Sequence, residues 1–186
     1  FEGFQQLFED CGGLVKIVDV APELPGAAEF VAKASKLCTV SIAHTDSDYD
    51  HAKAAIDAGV THLTHLYNAM PGINHRTPGV IPAGSENEKV QAEIICDGYH
   101  VHPASVRLAF AMFKDRMIIV SDSGRCAGQA DGTKFELGGQ IAQLIDLAHG
   151  FGTQGNVPIP GIVTGGDNLF QGSQGDLLRL PPGALH

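Results

Sequence analysis

Apolar residues along the first two thirds of the chain keep two rhythms. Short alternating or continuous runs rich in β-branched residues mark strands: Leu14 to Val20, Thr39 to Ala43, the opening of Thr61 to Pro71, Val90 to Cys96, and Arg116 to Val120. Helical spacing fills the gaps. Phe4, Leu7, Phe8 and Cys11 share one face of a helix that stops at Gly12-Gly13. Phe30, Val31, Ala34 and Leu37 face inward from a helix over Ala27 to Lys36, with Pro25 near its first turn. Thr45, Asp46 and Ser47 are cap candidates for a helix through Ala58, with Tyr49, Ala52, Ala55 and Ile56 on its apolar face and Gly59 as its stop. Pro103 starts a helix whose face is Val106, Phe110 and Phe113. The stretch from Asn68 to about Glu88, rich in Pro and Gly, reads as one long loop, and a loop of that length carries function or is disordered.

Strand and helix thus alternate as repeated βα units, which implies a parallel sheet. Five strands fit a doubly wound open sheet, and they equally fit most of a (β/α)8 barrel. Functional polar residues follow strands two, three, four and five, whereas an open sheet gathers its site near one switch point. Strand ends all round favour the barrel. The expectation is an α/β fold: an incomplete (β/α)8 TIM barrel of about the last five βα units over residues 1–139, then an irregular tail over 140–186. The chain opens inside a helix without a cap, so a preceding segment is expected upstream. From Gln140 to His186 the charged side chains are Asp146, Asp167, Asp176 and Arg179, and Gly and Pro are frequent. Ile141 to Leu147 fits a short helix or strand, and no sustained period follows Gly150.

Composition narrows the function classes. A chain of 186 residues, 44% hydrophobic and 18% charged, is long enough for a domain with a real core. Its net charge of −9 argues against nucleic acid or an anionic membrane as partner. An anionic substrate must therefore be met by local positive groups. Cys11, Cys38, Cys96 and Cys126 are widely spaced without a CxxC pair, and Cys38 and Cys96 sit in or beside apolar runs, as reduced thiols do. No apolar run approaches the roughly 20 residues that span a bilayer, and no secretory signal opens the chain. The cytosol is the expected location.

The candidate chemistry lies at strand ends, where side chains are held rigidly. His44 ends the second strand, His65 the third, and Asp122 follows the fifth. Imidazoles suit zinc or iron. Asp122 could ligate such an ion, or take a proton from a water whose pKa the ion lowers to around 7 and pass it to a leaving nitrogen. That combination is metal-assisted amide hydrolysis. His62 lies three residues before His65, which on a strand means the opposite face, so it reads as structural. Arg76, beside Asn74 and His75, suits a phosphate as a bidentate fork or stands as a solvated loop arginine. His51 and His149 have no such company and read as surface residues.

The runs VSIAHTDSDYDHAKAAIDAGVTHLTHLYNAMPGINHRTPGV, AEIICDGYHVHP and IIVSDS resemble N-acetylglucosamine-6-phosphate deacetylases of the amidohydrolase superfamily, from about Leu14 to Gly139. The resemblance implies a barrel enzyme that removes acetate from the amino sugar phosphate with one divalent metal ion, zinc or iron. It implies His44 and His65 as metal ligands and Asp122 as the catalytic aspartate. Asn68 and Ala69 match the loop that touches the sugar, His100 a substrate-binding histidine, and Arg76 the phosphate-holding arginine supplied across a homodimer interface. The family's metal-binding glutamate, in a glycine-proline motif on an earlier strand, has no counterpart here, and Gly124 stands where a larger residue is usual. Two outcomes stay open: a working deacetylase that obtains its remaining parts elsewhere, or an inactive truncated or frameshifted fragment with a relic site.

Overall fold

The structure is a computed structural model, and it describes residues 1–124, 127, 129–130, 133–137, 140–144 and 162–164. Five strands form one sheet in chain order: β1 (Ile17–Val20), β2 (Thr39–Ile42), β3 (His62–Leu63), β4 (Gln91–Ile95) and β5 (Met117–Val120). The first four pair in parallel. Between them run α2 (Ala27–Ala34), α3 (Tyr49–Ala58), α4 (Val80–Ser85) and α5 (Pro103–Phe113), after an opening α1 (Glu2–Asp10). This is the expected α/β order. The chain divides into two compact units, Phe1–Ile94 with Val106–Ile119, and Ile95–Ser105 with Val120–His186.

Several local expectations need correction. The long loop is interrupted by α4, which Pro82 and Gly84 disguise in sequence. Gly84 is there for packing: a Cβ would stand 2.6 Å from Leu63 Cδ1, so α4 presses directly on β3. The cap of α3 is Asp48, whose Oδ1 accepts the His51 N–H at 2.8 Å, and not the Thr45–Ser47 triplet. α1 buries nothing and Leu7 is exposed, while Phe4 and Phe8 join Phe1 and Phe30 in an aromatic cluster. Leu37 is also exposed, and α5 buries Ala109 where Phe110 was expected. In the second unit, β6 (Lys134–Leu137), β7 (Gln140–Leu144) and β8 (Ile162–Thr164) form an antiparallel sheet. The rest of the expected tail, His149 included, lies outside the described residues, as does Cys126 in the preceding segment. Cys11, Cys38 and Cys96 are free thiols, and burial, then Asp97, pushes the Cys96 thiol up.

The two sheet faces differ in kind. Val40, Ile42, Leu63, Ala92 and Ile94 are fully buried, as are Val31, Ala52, Val80 and Phe113 on the helices. Register and alternation put Asp19, Ser41, His62, Gln91 and Glu93 on the other face. Here hydrogen bonds run across the strands. Thr64 Oγ1 donates to Asp19 at 3.0 Å and lies 2.7 Å from Ser41 Oγ, which is 2.9 Å from His62 Nδ1. Thr64 spends its proton on Asp19, so Ser41 must donate to Thr64 and His62 must donate from Nδ1. Burial, opposed by Glu93 and Asp19, lowers the His62 pKa. A neutral ring protonated on Nδ1 fits the 3.5 Å gap from its Nε2 to Glu93, which is long for a direct hydrogen bond.

Loops that follow the strands are tied to one another. Glu23, after β1, accepts from Thr45 Oγ1 and, at 2.8 Å, from the Asp46 N–H after β2. The Thr45 N–H donates at 2.9 Å to the Ala69 carbonyl after β3. Burial pushes the Glu23 carboxyl up, but the Thr45 and Asp46 hydrogen bonds outweigh it and the net shift is downward. Because its folded pKa lies below the ordinary 4.5, the Glu23 contribution is present above that value and lost as pH falls through the folded one. Denaturation midpoints measured from neutral to acidic pH should therefore fall less steeply in Glu23→Gln than in the wild type. Identical slopes would remove Glu23 from the clamp.

Arg116 performs a similar service under α4. Its guanidinium donates to Asn87 O at 2.9 Å, Val90 O at 2.6 Å and Ser85 O at 2.8 Å, stacked over the Phe113 ring at 5.0 Å. Arg116→Ala takes the guanidinium from all three carbonyls, of which Asn87 O keeps the Val90 N–H at 3.0 Å, and urea unfolding should report a loss of about 2–4 kcal/mol. Arg116→Lys keeps the charge without the fork and should recover only part of it; full recovery would show that charge alone suffices.

Candidate functional site

The pairing of β2 with β3 decides which residues meet beyond the strands. Ser41 pairs with His62 and Ile42 with Leu63, an offset of 21. His44 and His65 are separated by the same 21 residues (65 − 44), so the register carries them to one level beyond adjacent strands. Both leave the strand in left-handed backbone, φ 46° at His44 and φ 34° at His65, which breaks the simple alternation. Their rings meet edge to face, centroids 4.7 Å apart, with the two Nε2 atoms 3.0 Å apart. His65 is buried and His44 exposed. His65 Nδ1 is buried and makes no hydrogen bond among the described residues.

Two imidazole nitrogens at this spacing suit one ion. Both Nε2 atoms, 3.0 Å apart, lie within reach of a single zinc ion at the usual nitrogen bond length of about 2.0–2.1 Å. The donor set also suits iron. Among the described residues no third His, Cys, Asp or Glu joins them into a metal-binding group. The pair therefore fits as part of a coordination shell.

The remaining predicted site residues fall on the loops. Asn68 is buried, its Nδ2 donating to His65 O at 3.3 Å and Leu66 O at 3.2 Å, and its N–H to His65 O at 2.9 Å. It thereby fastens the turn behind His65. Ala69 is exposed at φ 50°. Arg76 is exposed in the loop before α4, its N–H held by Asn74 Oδ1 at 3.0 Å. In the second unit, the His100 Nδ1 lies 2.5 Å from Asp97 Oδ2, and Asp122 is exposed two residues past β5 at φ 50°. Of six non-glycine residues with positive φ among those described, four are predicted site residues: His44, His65, Ala69 and Asp122. Such backbone costs on the order of 1–3 kcal/mol per residue and gathers at functional sites.

Sequence reasoning missed Glu23, Thr45 and Asp97 as supports. Asp97 carried a signal, an acidic residue followed by Gly98 at a strand end; Glu23 carried none beyond a proline-rich loop. A cavity of about 720 Å³, lined by Phe1, Asp19, Leu24, Phe30 and Lys33 among others, contains none of the predicted site residues.

Comparison with known proteins gives the lineage. No protein-family model matches the chain. An N-acetylglucosamine-6-phosphate deacetylase of Bacillus subtilis (strain 168) is 40% identical over 141 residues, 75% of this chain and 35% of that protein. An N-acetylgalactosamine-6-phosphate deacetylase of Escherichia coli O157:H7 is 34% identical over 131 residues, 70% of this chain and 34% of the relative. A mutant N-acetyl-D-glucosamine-6-phosphate deacetylase of Mycobacterium smegmatis, solved with N-acetyl-D-glucosamine-6-phosphate, superposes with a TM-score of 0.79 at 30% identity, covering 91% of this chain and 42% of that one. The chain spans about a third of the length of the curated relatives it matches, 35% and 34%. Over that matched part, curated and structural neighbours alike name N-acetylglucosamine-6-phosphate deacetylase as what this chain is similar to.

Proposed function

We propose that this chain is part of a (β/α)8-barrel deacetylase that hydrolyses the acetamide of N-acetylglucosamine 6-phosphate to glucosamine 6-phosphate and acetate in amino sugar catabolism. The observation that carries the reading is the convergence of His44 and His65, Nε2 to Nε2 at 3.0 Å, at the ends of adjacent strands. In this reading the two imidazoles hold one divalent ion, zinc or iron. When bound, such an ion supplies Lewis acidity, bringing the pKa of a water near neutrality and polarising the acetamide carbonyl.

The chain's own residues do the rest. Asp122, exposed just past β5, takes the proton of the attacking water and returns it to the leaving nitrogen. The collapse then breaks the C–N bond and leaves acetate and a free amine. Asn68 and Ala69 border the sugar, with Asn68 also keeping His65 in place through the carbonyls it binds. His100 binds the substrate, and Arg76 grips the phosphate as a planar fork. In a homodimer, Arg76 serves the partner's site. The acidic net charge of −9 leaves phosphate recognition to such local cations. Among the described residues no helix is long and apolar enough to cross a membrane, and we place the enzyme in the cytoplasm.

Metal content and turnover measured on the same samples test the core of this reading. His65→Ala should lose the bound divalent ion. Asp122→Asn should keep it while acetate release falls by about 10²–10⁴-fold. Loss of metal in Asp122→Asn would make the aspartate a ligand, and full activity would remove it from the chemistry. A wild-type chain that binds no divalent ion would be the inactive relic.

Phosphate recognition has its own test. Arg76→Ala should raise KM for N-acetylglucosamine 6-phosphate by about 10–100-fold, the scale of one or two charge-assisted hydrogen bonds. The KM for unphosphorylated N-acetylglucosamine should not move. An equal rise for both sugars would assign Arg76 to loop structure.

A further inference from the structure

The residues Asp97 to His100 close a small loop just past β4, and its hydrogen bonds are unusually complete. Asp97 Oδ1 accepts two backbone donors, the Tyr99 N–H at 2.8 Å and the His100 N–H at 2.9 Å. Its other oxygen, Oδ2, faces the His100 Nδ1 at 2.5 Å. Gly98, at φ 81° with open space where a Cβ would stand, makes the turn that folds the ring back on the carboxylate. The His100 side chain is only 4% exposed and that of Asp97 24%. The carboxylate is thus pinned at one end by two amides and cannot swing, and at the other end it meets a single ring nitrogen.

We infer that Asp97 is the positioning residue of His100: it fixes the ring and keeps the proton on Nδ1, so that Nε2 is the atom left to meet a ligand. An ionised carboxylate only accepts hydrogen bonds, so the nitrogen against it must donate. Burial works against that ionisation, but the His100 ring and the two amides outweigh it and hold the Asp97 carboxyl below its usual range. A neutral ring so held offers the Nε2 lone pair to an O–H or N–H, as on a sugar hydroxyl or acylamino group. A ring that takes up a second proton offers Nε2–H to a carbonyl or phosphoryl oxygen, with Asp97 stabilising the charge. Only the identity of that ligand rests on the deacetylase reading; the tautomer does not.

Asparagine at position 97 gives a sharp contrast. Its oxygen is needed by the two amides, which turns its NH₂ toward His100 Nδ1. That nitrogen must then accept, and the proton moves to Nε2. Long-range ¹H–¹⁵N spectra of the imidazoles in the full chain, recorded with no metal or sugar and at a pH where the ring is neutral, read the tautomer directly. The expected result is a protonated Nδ1 in the wild type and a shift to protonated Nε2 in Asp97→Asn. A neutral wild-type His100 protonated on Nε2 would overturn the inference even if the variant failed to fold. The same tautomer in both proteins would overturn it as well. Because no substrate enters the measurement, an expected tautomer in a chain without deacetylase activity would sink the catalytic reading and leave the role of Asp97 standing.

Discussion

The parallel register between β2 and β3 is the constraint on which the site depends. It rests on only two residue pairs, Ser41 with His62 and Ile42 with Leu63. A one-residue slip would move every side chain to the other face and separate His44 from His65. So short a strand cannot hold its register by backbone bonds alone. The Ser41 hydroxyl supplies the missing specificity by bridging His62 and Thr64 on and just past the neighbouring strand. On the opposite face Leu63 is gripped by α4, whose Gly84 allows the approach. Polar pairing on one side and close packing on the other fix the same alignment.

That arrangement explains a face that looks uneconomical. Parallel sheets usually bury apolar side chains on both sides, yet here Asp19, Ser41, Thr64, His62 and Glu93 form a row. Each buried polar group costs free energy unless it is bonded, and the row answers this with donors that all point one way, from His62 through Ser41 and Thr64 to Asp19. Buried polar networks of this kind narrow the number of ways a chain can pack, because any other register leaves several groups unsatisfied at once.

The order of strands and helices was legible from the period of the apolar residues, because that period reflects which side of each element meets the core. His44 and His65 were legible as strand-end residues, and their equal offset with the β2–β3 register makes their meeting a consequence of pairing. What could not be read were features set by tertiary contact. α4 holds Pro82 and Gly84, both poor helix formers, and exists because it packs on Leu63 and Val90. Leu7 and Leu37 follow helical spacing toward a core that does not cover them. Thr45 and Asp46 resemble cap residues by composition, but Glu23, more than twenty residues earlier, recruits them instead, and no local pattern encodes a partner at that separation.

The left-handed backbone at His44, His65 and Ala69 belongs to the same class, since alanine gives no hint of it, histidine only a weak one, and glycine would adopt it more easily. Three such residues store free energy on the order of 1–3 kcal/mol each. Something must hold them there, and the loop hydrogen bonds are placed to do so. The Thr45 N–H, one residue past His44, binds the Ala69 carbonyl, while Asn68 binds the carbonyls of His65 and Leu66. Glu23 then anchors Thr45 from the β1 side. The clamp does not touch the imidazoles, and it need not. By fixing the peptide plane that follows each histidine, it limits how the rings leave the sheet, and they leave it with the two Nε2 atoms 3.0 Å apart.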